Sequence, residues 1–438
     1  MSAPSSIKRP LNPSAGMQPS RARHGVLFAA VSLAIVTYID RVAISQAAPL
    51  MTTELGFSDT QMGAAFAAFA WGYALFEVPG GWLGDWLGAR KVLTRIVIWW
   101  SAFTAFTGMA WNITSLIVIR FLFGVGEAGC FPNLTKMFSA WLPREERARA
   151  QSVMWMSARW GGAVTPQLVA WTLLVMTWRQ TFYTFATIGL VWAVIFFWWF
   201  RDRPSEHSGV NAAELALLKE AEENAVGNAH VPWTRLVGNK DVWLLWIQYF
   251  CVSWGWYFYI TWLPTYLKNA RGLELNQSAL LAGLPLFLGG VGCLCSSYLV
   301  AMVARWTGDL SLARKWVCAI SLSAAAGFLL AAAFLSDPLF AMMAMGMSSF
   351  TNDLTVPAAW STCMDIGGRF AGTMSGSMNM MGNLAGGLAP LTVGLILDAT
   401  NKNWNAALFV SVGIYFLGAV CWLFLNSHHR IDLKTHKQ

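Results

Sequence analysis

Residues 81–91 read Gly81-Trp82-Leu83-Gly84-Asp85-Trp86-Leu87-Gly88-Ala89-Arg90-Lys91, a short turn set between two long apolar runs. Gly81 and Gly88 permit a tight turn and the close approach of neighbouring helices. Asp85 is placed either to cap the N-terminus of an adjacent helix or to pair with a cation in one conformational state only. Arg90 follows at the start of the next apolar run. A turn of this kind belongs in a helical bundle.

Working outward, the chain contains twelve apolar spans, at 25–47, 59–83, 92–110, 115–137, 149–174, 179–200, 241–267, 277–303, 313–334, 338–363, 369–396 and 406–425. Each has the roughly 20 residues that a helix needs to cross a bilayer. Composition agrees: 56% of residues are hydrophobic and 12% are charged, too few charges to cover a soluble surface of 438 residues. The 25 tryptophans suit interfacial belts and aromatic-lined cavities. With both termini in the cytosol, the basic residues gather on one side: Lys8, Arg9, Arg21 and Arg23, then Arg90, Lys91 and Arg95, then Arg144, Arg147 and Arg149, then Arg201, Arg203, Lys219, Arg235 and Lys240. The other side holds Arg179, Lys268, Arg271 and Lys402. The net charge of +8 is therefore the positive-inside signature and no nucleic-acid partner is expected.

The expected layout is an all-α membrane protein: a disordered cytosolic tail (1–24), a six-helix bundle (25–200), a central cytosolic loop (201–240) with a short amphipathic helix at Asn211–Glu223, a second six-helix bundle (241–425) and a cytosolic tail (426–438). The polar first 24 residues have no apolar core of a cleavable signal. The halves echo each other. Gly161-Gly162-Ala163-Val164-Thr165-Pro166 on the fifth span matches Gly386-Gly387-Leu388-Ala389-Pro390 on the eleventh, and Glu127 precedes Pro132 on the fourth span as Asn352 precedes Pro357 on the tenth. Matching special positions indicate duplication and two pseudo-symmetric bundles. The cysteines, Cys293 and Cys295 among them, show no metal spacing, and neither a disulfide nor a metal is expected. His24, His207, His230, His428, His429 and His436 all lie in tails or the central loop, so a proton-carrying group inside the membrane must be a carboxylate.

Asp40, Arg41, Arg120, Glu127 and Arg159 all fall within spans. Each charge at mid-bilayer costs about 2.5–3.5 kcal/mol, so together they must face a shared aqueous cavity. Arg120 and Glu127 are seven residues apart, about 10.5 Å along a helix axis, and so each needs a partner elsewhere, such as Asp40 or a ligand. A static ion network is the bland alternative. Three arginines against two acids leave a positive surplus suited to an organic anion, which arginine binds bidentately.

The stretch 81–91 resembles the signature loop of the major facilitator superfamily, departing from it at Trp86 and Ala89. Tyr38-Ile39-Asp40-Arg41, Tyr73 with Pro79-Gly80-Gly81, the string Arg120-Phe121-Leu122-Phe123-Gly124-Val125-Gly126-Glu127-Ala128-Gly129-Cys130-Phe131-Pro132, and Asn379 with Asn383 are similar to the anion:cation symporter branch of that superfamily, which carries sugar acids, sialic acid and glutamate. The resemblance implies a proton-coupled symporter of a small organic anion in a bacterial inner membrane, working by alternating access; a monomer is expected, and no cofactor, the proton being the coupling ion. It further implies that Arg41 and Tyr73 contact substrate and that Asp40 and Glu127 couple to protons; an Asp40–Arg120 ion pair, released when Asp40 is protonated, is expected from the charges themselves. Arg159 has two readings: recognition of a second carboxylate, or snorkelling to the cytosolic interface. Glu77 is either an extra protonatable group or a neutral or paired carboxyl near the cytosolic end.

The second half offers aromatic residues on its first span (Trp254, Trp256, Tyr257, Tyr259, Trp262), then Asn352, Asp353 and Trp360, then Ser375, Asn379 and Asn383. Amides bind hydroxyls and rings pack on C–H faces, so Tyr257, Asn379 and Asn383 are expected to hold a hydroxylated ligand such as a hexonate, hexuronate or glucarate. Tartrate- or phthalate-like carboxylates are the alternative substrates, and a non-transporting sensor is the alternative role. An organophosphate antiporter would need cations in both halves, which the first span of the second half lacks. No nucleophile–base pair, metal cluster or nucleotide loop points to an enzyme.

Overall fold

The computed structural model describes residues 18–57, 59–222, 231–263, 266–267, 270–271 and 275–427, and the regular structure in them is helical. The first half runs through α1 (Ala22–Leu55), α2 (Asp59–Leu87), α3 (Ala89–Gly108), α4 (Ile113–Glu127), α5 (Cys130–Trp141), α6 (Arg144–Val175) and α7 (Trp178–Trp199). The connector carries α8 (Ala212–Glu222) and α9 (Trp233–Gly238). The second half holds α10 (Lys240–Thr261), α11 (Leu275–Thr307), α12 (Leu310–Phe334), α13 (Pro338–Asp353), α14 (Val356–Gly367), α15 (Ala371–Ala399) and α16 (Trp404–Phe424). Every span read from the sequence overlaps a helix, except that 115–137 falls across α4 and α5, and 338–363 across α13 and α14.

Local chemistry sets the helix ends. Asn112 and Ser115 form a reciprocal capping box at the start of α4, and Thr177 with Gln180 does the same for α7. Asp309 and Asp337 accept from the first backbone N–H groups of α12 and α13, and Pro338 occupies the first turn of α13, where no N–H is needed. Among the described residues seven stretches are long and apolar enough to cross a membrane. Large apolar side chains such as Ile195, Trp198, Ile320 and Leu395 point outward, as a lipid solvent requires. The long helices α2 and α6 lie outside that set and bury charged side chains inward, among them Glu77 and Arg159.

The packing repeats in the two halves. In the first, α1 packs on α6, α2 on α4 and α3 on α7; in the second, α10 packs on α15, α11 on α13 and α12 on α16. The halves meet along α2–α15 and α6–α11.

Two breaks between helices lie wholly within the described residues. Between α4 and α5, Gly129 adopts a left-handed conformation (φ 84°), and Pro132 sits in the first turn that follows. A Cβ on Gly129 would lie 2.6 Å from Gly80 Cα, so α2 crosses the break backbone to backbone. Between α13 and α14 the restart is marked by Pro357. The upstream segments end on carboxylates, Glu127 and Asp353.

The expected tails lie mostly outside the described residues, as do His230, His428, His429 and His436. Residues 18–24 are part of the fold rather than a disordered tail. Arg23 donates to Glu214 of α8 at 3.1 Å, and Ser20 and the Ala22 N–H bind the same carboxylate, which is fully buried. The expected connector helix is α8.

Candidate substrate site

A small central cavity of about 70 Å³ lies between the halves. On the first-half side, α1 presents Arg41, whose Nε is ion-paired with Glu127 at the end of α4. The guanidinium lies 4.5 Å from the Tyr73 ring centre and within 5.6 Å of those of Phe69, Phe131 and Tyr38. Its Nη2 is buried and has no hydrogen-bond partner, and neither has Glu127 Oε2. Rings that surround a cation without bonding its donors hold it in place while leaving hydrogen-bonding capacity for a ligand.

On the second-half side, Tyr257 donates to Asn383 Oδ1 at 3.0 Å. Asn379 and Asn383, four apart on α15, donate to the two oxygens of Glu77 at 2.7 and 3.1 Å. Arg159 of α6 reaches across to Asp353, with Nε–Oδ2 at 3.1 Å and Nη2–Oδ1 at 3.4 Å, and its guanidinium lies 4.8 Å from the Trp256 ring centre.

Beneath the cavity, toward the connector, Phe131 stacks on Trp155 at 4.7 Å, Trp155 contacts Trp360 at 5.1 Å, and Trp360 donates to Tyr249 at 2.9 Å. Below this floor the halves are tied by charge. Asp85 accepts from Gly372 N (3.0 Å) and from Thr373 N and Oγ1 (both 2.6 Å) at the start of α15, and pairs with Lys136 at 3.3 Å. Lys136 also donates to the Arg369 carbonyl. Asp365 on α14 binds Arg144 and Arg147 of α6, both at 3.2 Å, and Arg314 of α12 at 2.6 Å. The protein is thus closed on the connector side.

Of the residues singled out in the sequence, Arg41, Tyr73, Arg159, Tyr257, Asn379 and Asn383 line the cavity. Glu127 joins it through Arg41. Arg120 does not: it is buried against the Phe123 and Phe69 rings, at 4.5 and 5.1 Å, and Arg41 lies 5.5 Å from the same Phe69 ring. No ion pair joins Arg120 to Asp40 within 4.0 Å among the described residues, and both Asp40 oxygens are buried without a hydrogen-bond partner. The ion pair at this level is Arg41–Glu127, whereas Asp40 and Arg120 interact electrostatically without coming within ion-pair distance. Arg159 does not snorkel; its residue is 9% exposed and its partner is Asp353. Glu77 faces the cavity amides and not the cytosolic end.

Gly81 meets Gly372 backbone to backbone, Asp85 caps α15, and Gly88 has φ 87° beside Asp202. Asp202 also accepts from the Arg90 N–H at 2.9 Å, and burial pushes its carboxyl up from the ordinary range. Arg90 donates to the Phe197 carbonyl at 2.6 and 2.9 Å. Lys136, Asp365, Trp155 and Tyr249 escaped the sequence reading. The signal for Lys136 was available: a lysine inside an apolar span.

The family model of the Major Facilitator Superfamily matches residues 30–390. The chain is 36% identical over 422 residues to a probable sulfoacetate transporter of Cupriavidus necator, covering 96% of this chain and 97% of the other. It is 28% identical to a D-galactonate transporter of Escherichia coli, covering 93% and 96%. Among solved structures, the proton:xylose symporter XylE superposes with a TM-score of 0.73 at 12% identity, covering 93% of this chain and 97% of that one, a likeness of fold. The packing of two equivalent halves around one cavity and the match over most of the length agree: the chain is a multi-pass membrane protein of transmembrane transport and belongs to the Major Facilitator Superfamily.

Proposed function

We propose that this protein is a proton-coupled symporter of a small organic anion, crossing the bacterial inner membrane twelve times with both termini in the cytosol. The observation that carries this is Arg41: a cation in the cavity wall whose ion-pair partner, Glu127, is a group that a proton can neutralise, and whose Nη2 is unbonded. Protonation of Glu127 releases Arg41 to a substrate carboxylate. Tyr257, Asn379 and Asn383 then bond the remaining polar groups of the ligand. Asp40, buried beside Glu127 and Arg120, is the second group that titrates in the cycle. The connector-side contacts of Asp85 and Asp365 break as the halves rock, and substrate and protons leave to the cytosol.

Sugar acids such as hexonates, hexuronates and glucarate fit the amides. A second reading, a shorter carboxylate such as tartrate or sulfoacetate, is favoured by the second arginine in the cavity and by the relative at 36% identity. A proton gradient imposed on proteoliposomes should drive uphill uptake of galactonate, glucarate, tartrate or sulfoacetate. Glu127→Gln should abolish uphill uptake while substrate exchange across the membrane continues. Normal uphill uptake by Glu127→Gln would show that coupling lies elsewhere.

A further inference from the structure

Arg41 and Arg159 both line the cavity, and each is held by the carboxylate that ends the upstream segment of a broken helix, Glu127 or Asp353. Each also lies over an aromatic ring, Tyr73 or Trp256. Tyr38 and Tyr257 interact electrostatically with both guanidiniums, so the two cations face one small space. Arg159 and Asp353 belong to different halves.

Resting on the reading that this cavity takes an organic anion, we infer that its ligand class is a short dianion whose two anionic ends seat on Arg41 and Arg159, with Asp353 yielding its arginine to the second end as Glu127 yields to the first. Charge balance carries the argument. Empty, the four side chains sum to zero. A dianion entering with both carboxylates ionised would bring the site to −2, and an uncompensated buried charge costs several kcal/mol. One proton on Glu127 and one on Asp353, drawn from water in the cavity, restore neutrality. A monoanion needs Arg41 and one proton, and leaves the Arg159–Asp353 pair idle.

The surroundings of the two carboxylates differ enough to tell them apart. Facing Asp353 are Arg159 from α6, Tyr259 from α10, Cys293 from α11 and Tyr415 from α16, with Asn352 Nδ2 bonded to it at 3.0 Å. Facing Glu127 are Asp40 and Arg41 from α1, Tyr73 and Glu77 from α2, Arg120 of its own helix and Cys130 of α5.

The test is calorimetric titration of the purified full-length protein with malonate, succinate and sulfoacetate against the monoanions propionate and galactonate, across a range of pH. In the wild type one of the short dianions should bind at least about tenfold tighter than either monoanion. Where both carboxylates are ionised in the empty protein, its Kd should rise about a hundredfold per pH unit, since binding takes up two protons. Arg159→Gln should narrow the preference for the dianion over galactonate at least about tenfold. Asp353→Asn should cut the pH slope to about tenfold per unit, a readout that stands even if Arg159→Gln does not fold. An unchanged dianion preference in Arg159→Gln, an unchanged slope in Asp353→Asn, or a wild type that binds galactonate and no dianion overturns the inference alone. A wild type that neither binds nor transports any of these anions overturns the organic-anion reading with it.

Discussion

Glu77 shows how much one side chain can join. Its two oxygens accept from Asn379 and Asn383, so one carboxyl of α2 satisfies two amides of α15 across the line where the halves meet. The orientation of Asn383 is fixed independently, since its Oδ1 accepts from Tyr257 and its Nδ2 also donates to the Asn379 carbonyl. A buried donor stripped of its acceptor costs about 1–3 kcal/mol. Glu77→Ala should therefore lower stability by about 2–5 kcal/mol, and Glu77→Gln, which keeps one acceptor oxygen, by clearly less. Thermal unfolding of the detergent-solubilised variants checks this, and coincident melting of both with the wild type would rule it out. In the sequence, Asn379 and Asn383 were legible as a pair on one helix face, and Glu77 as following Tyr73 on another. That the two faces oppose each other was not legible, because helical periodicity fixes which residues share a face and says nothing of which helix lies across from it. The same limit hid Asp353 as the partner of Arg159 and set Arg120 too close to the ligand.

Broken helices are where element-scale physics shapes the cavity. A continuous fourth span would carry Glu127 in mid-helix; the break makes it the terminal residue of α4, opposite Arg41. The turn requires Gly129 twice over, for φ 84° and for contact with Gly80. A left-handed non-glycine residue costs about 1–2 kcal/mol before any clash is counted. Gly129→Ala should thus destabilise the protein by more than about 2 kcal/mol and disturb Arg41–Glu127, whereas Gly327→Ala on α12, where an added Cβ meets nothing within 4 Å, should be neutral or stabilising. Melting temperatures of the two variants decide the point: equal behaviour would mean that the break tolerates a side chain. Hydropathy could place the fourth and tenth spans but not divide them, because the apolar run continues through each break. Pro132 and Pro357 were the available markers, each in the first turn of the restarted helix, and only a restart explains a proline there without a lost hydrogen bond.

At the scale of the whole molecule, the duplication seen as scattered Gly and Pro matches becomes a repeated set of helix pairs, and the halves lock on one side through two aspartates. Asp365 is the more exposed to loss, since it alone faces three guanidiniums: Arg144 and Arg147 from the first half and Arg314 from its own. Opening the connector side must separate Asp365 from the two arginines of the opposite half while Arg314 stays with it, so Asp365 remains paired in both states. That asymmetry lets the lock part without stranding a buried carboxylate, whose isolation would cost several kcal/mol. Asp365→Asn removes the carboxylate that binds all three arginines and leaves arginines of both halves repelling each other, about 4 kcal/mol for a pair at 4 Å in a medium of effective dielectric 20. Because a shift of that size exceeds the few kcal/mol that separate the states of a two-state protein, the connector side should open. Ser375→Cys reports it: Ser375 is fully buried on α15, near the Asp85 lock, and its maleimide labelling should accelerate at least about tenfold when Asp365→Asn is added. An unchanged labelling rate would mean that the contacts of Asp85 with the start of α15 hold the halves together unaided.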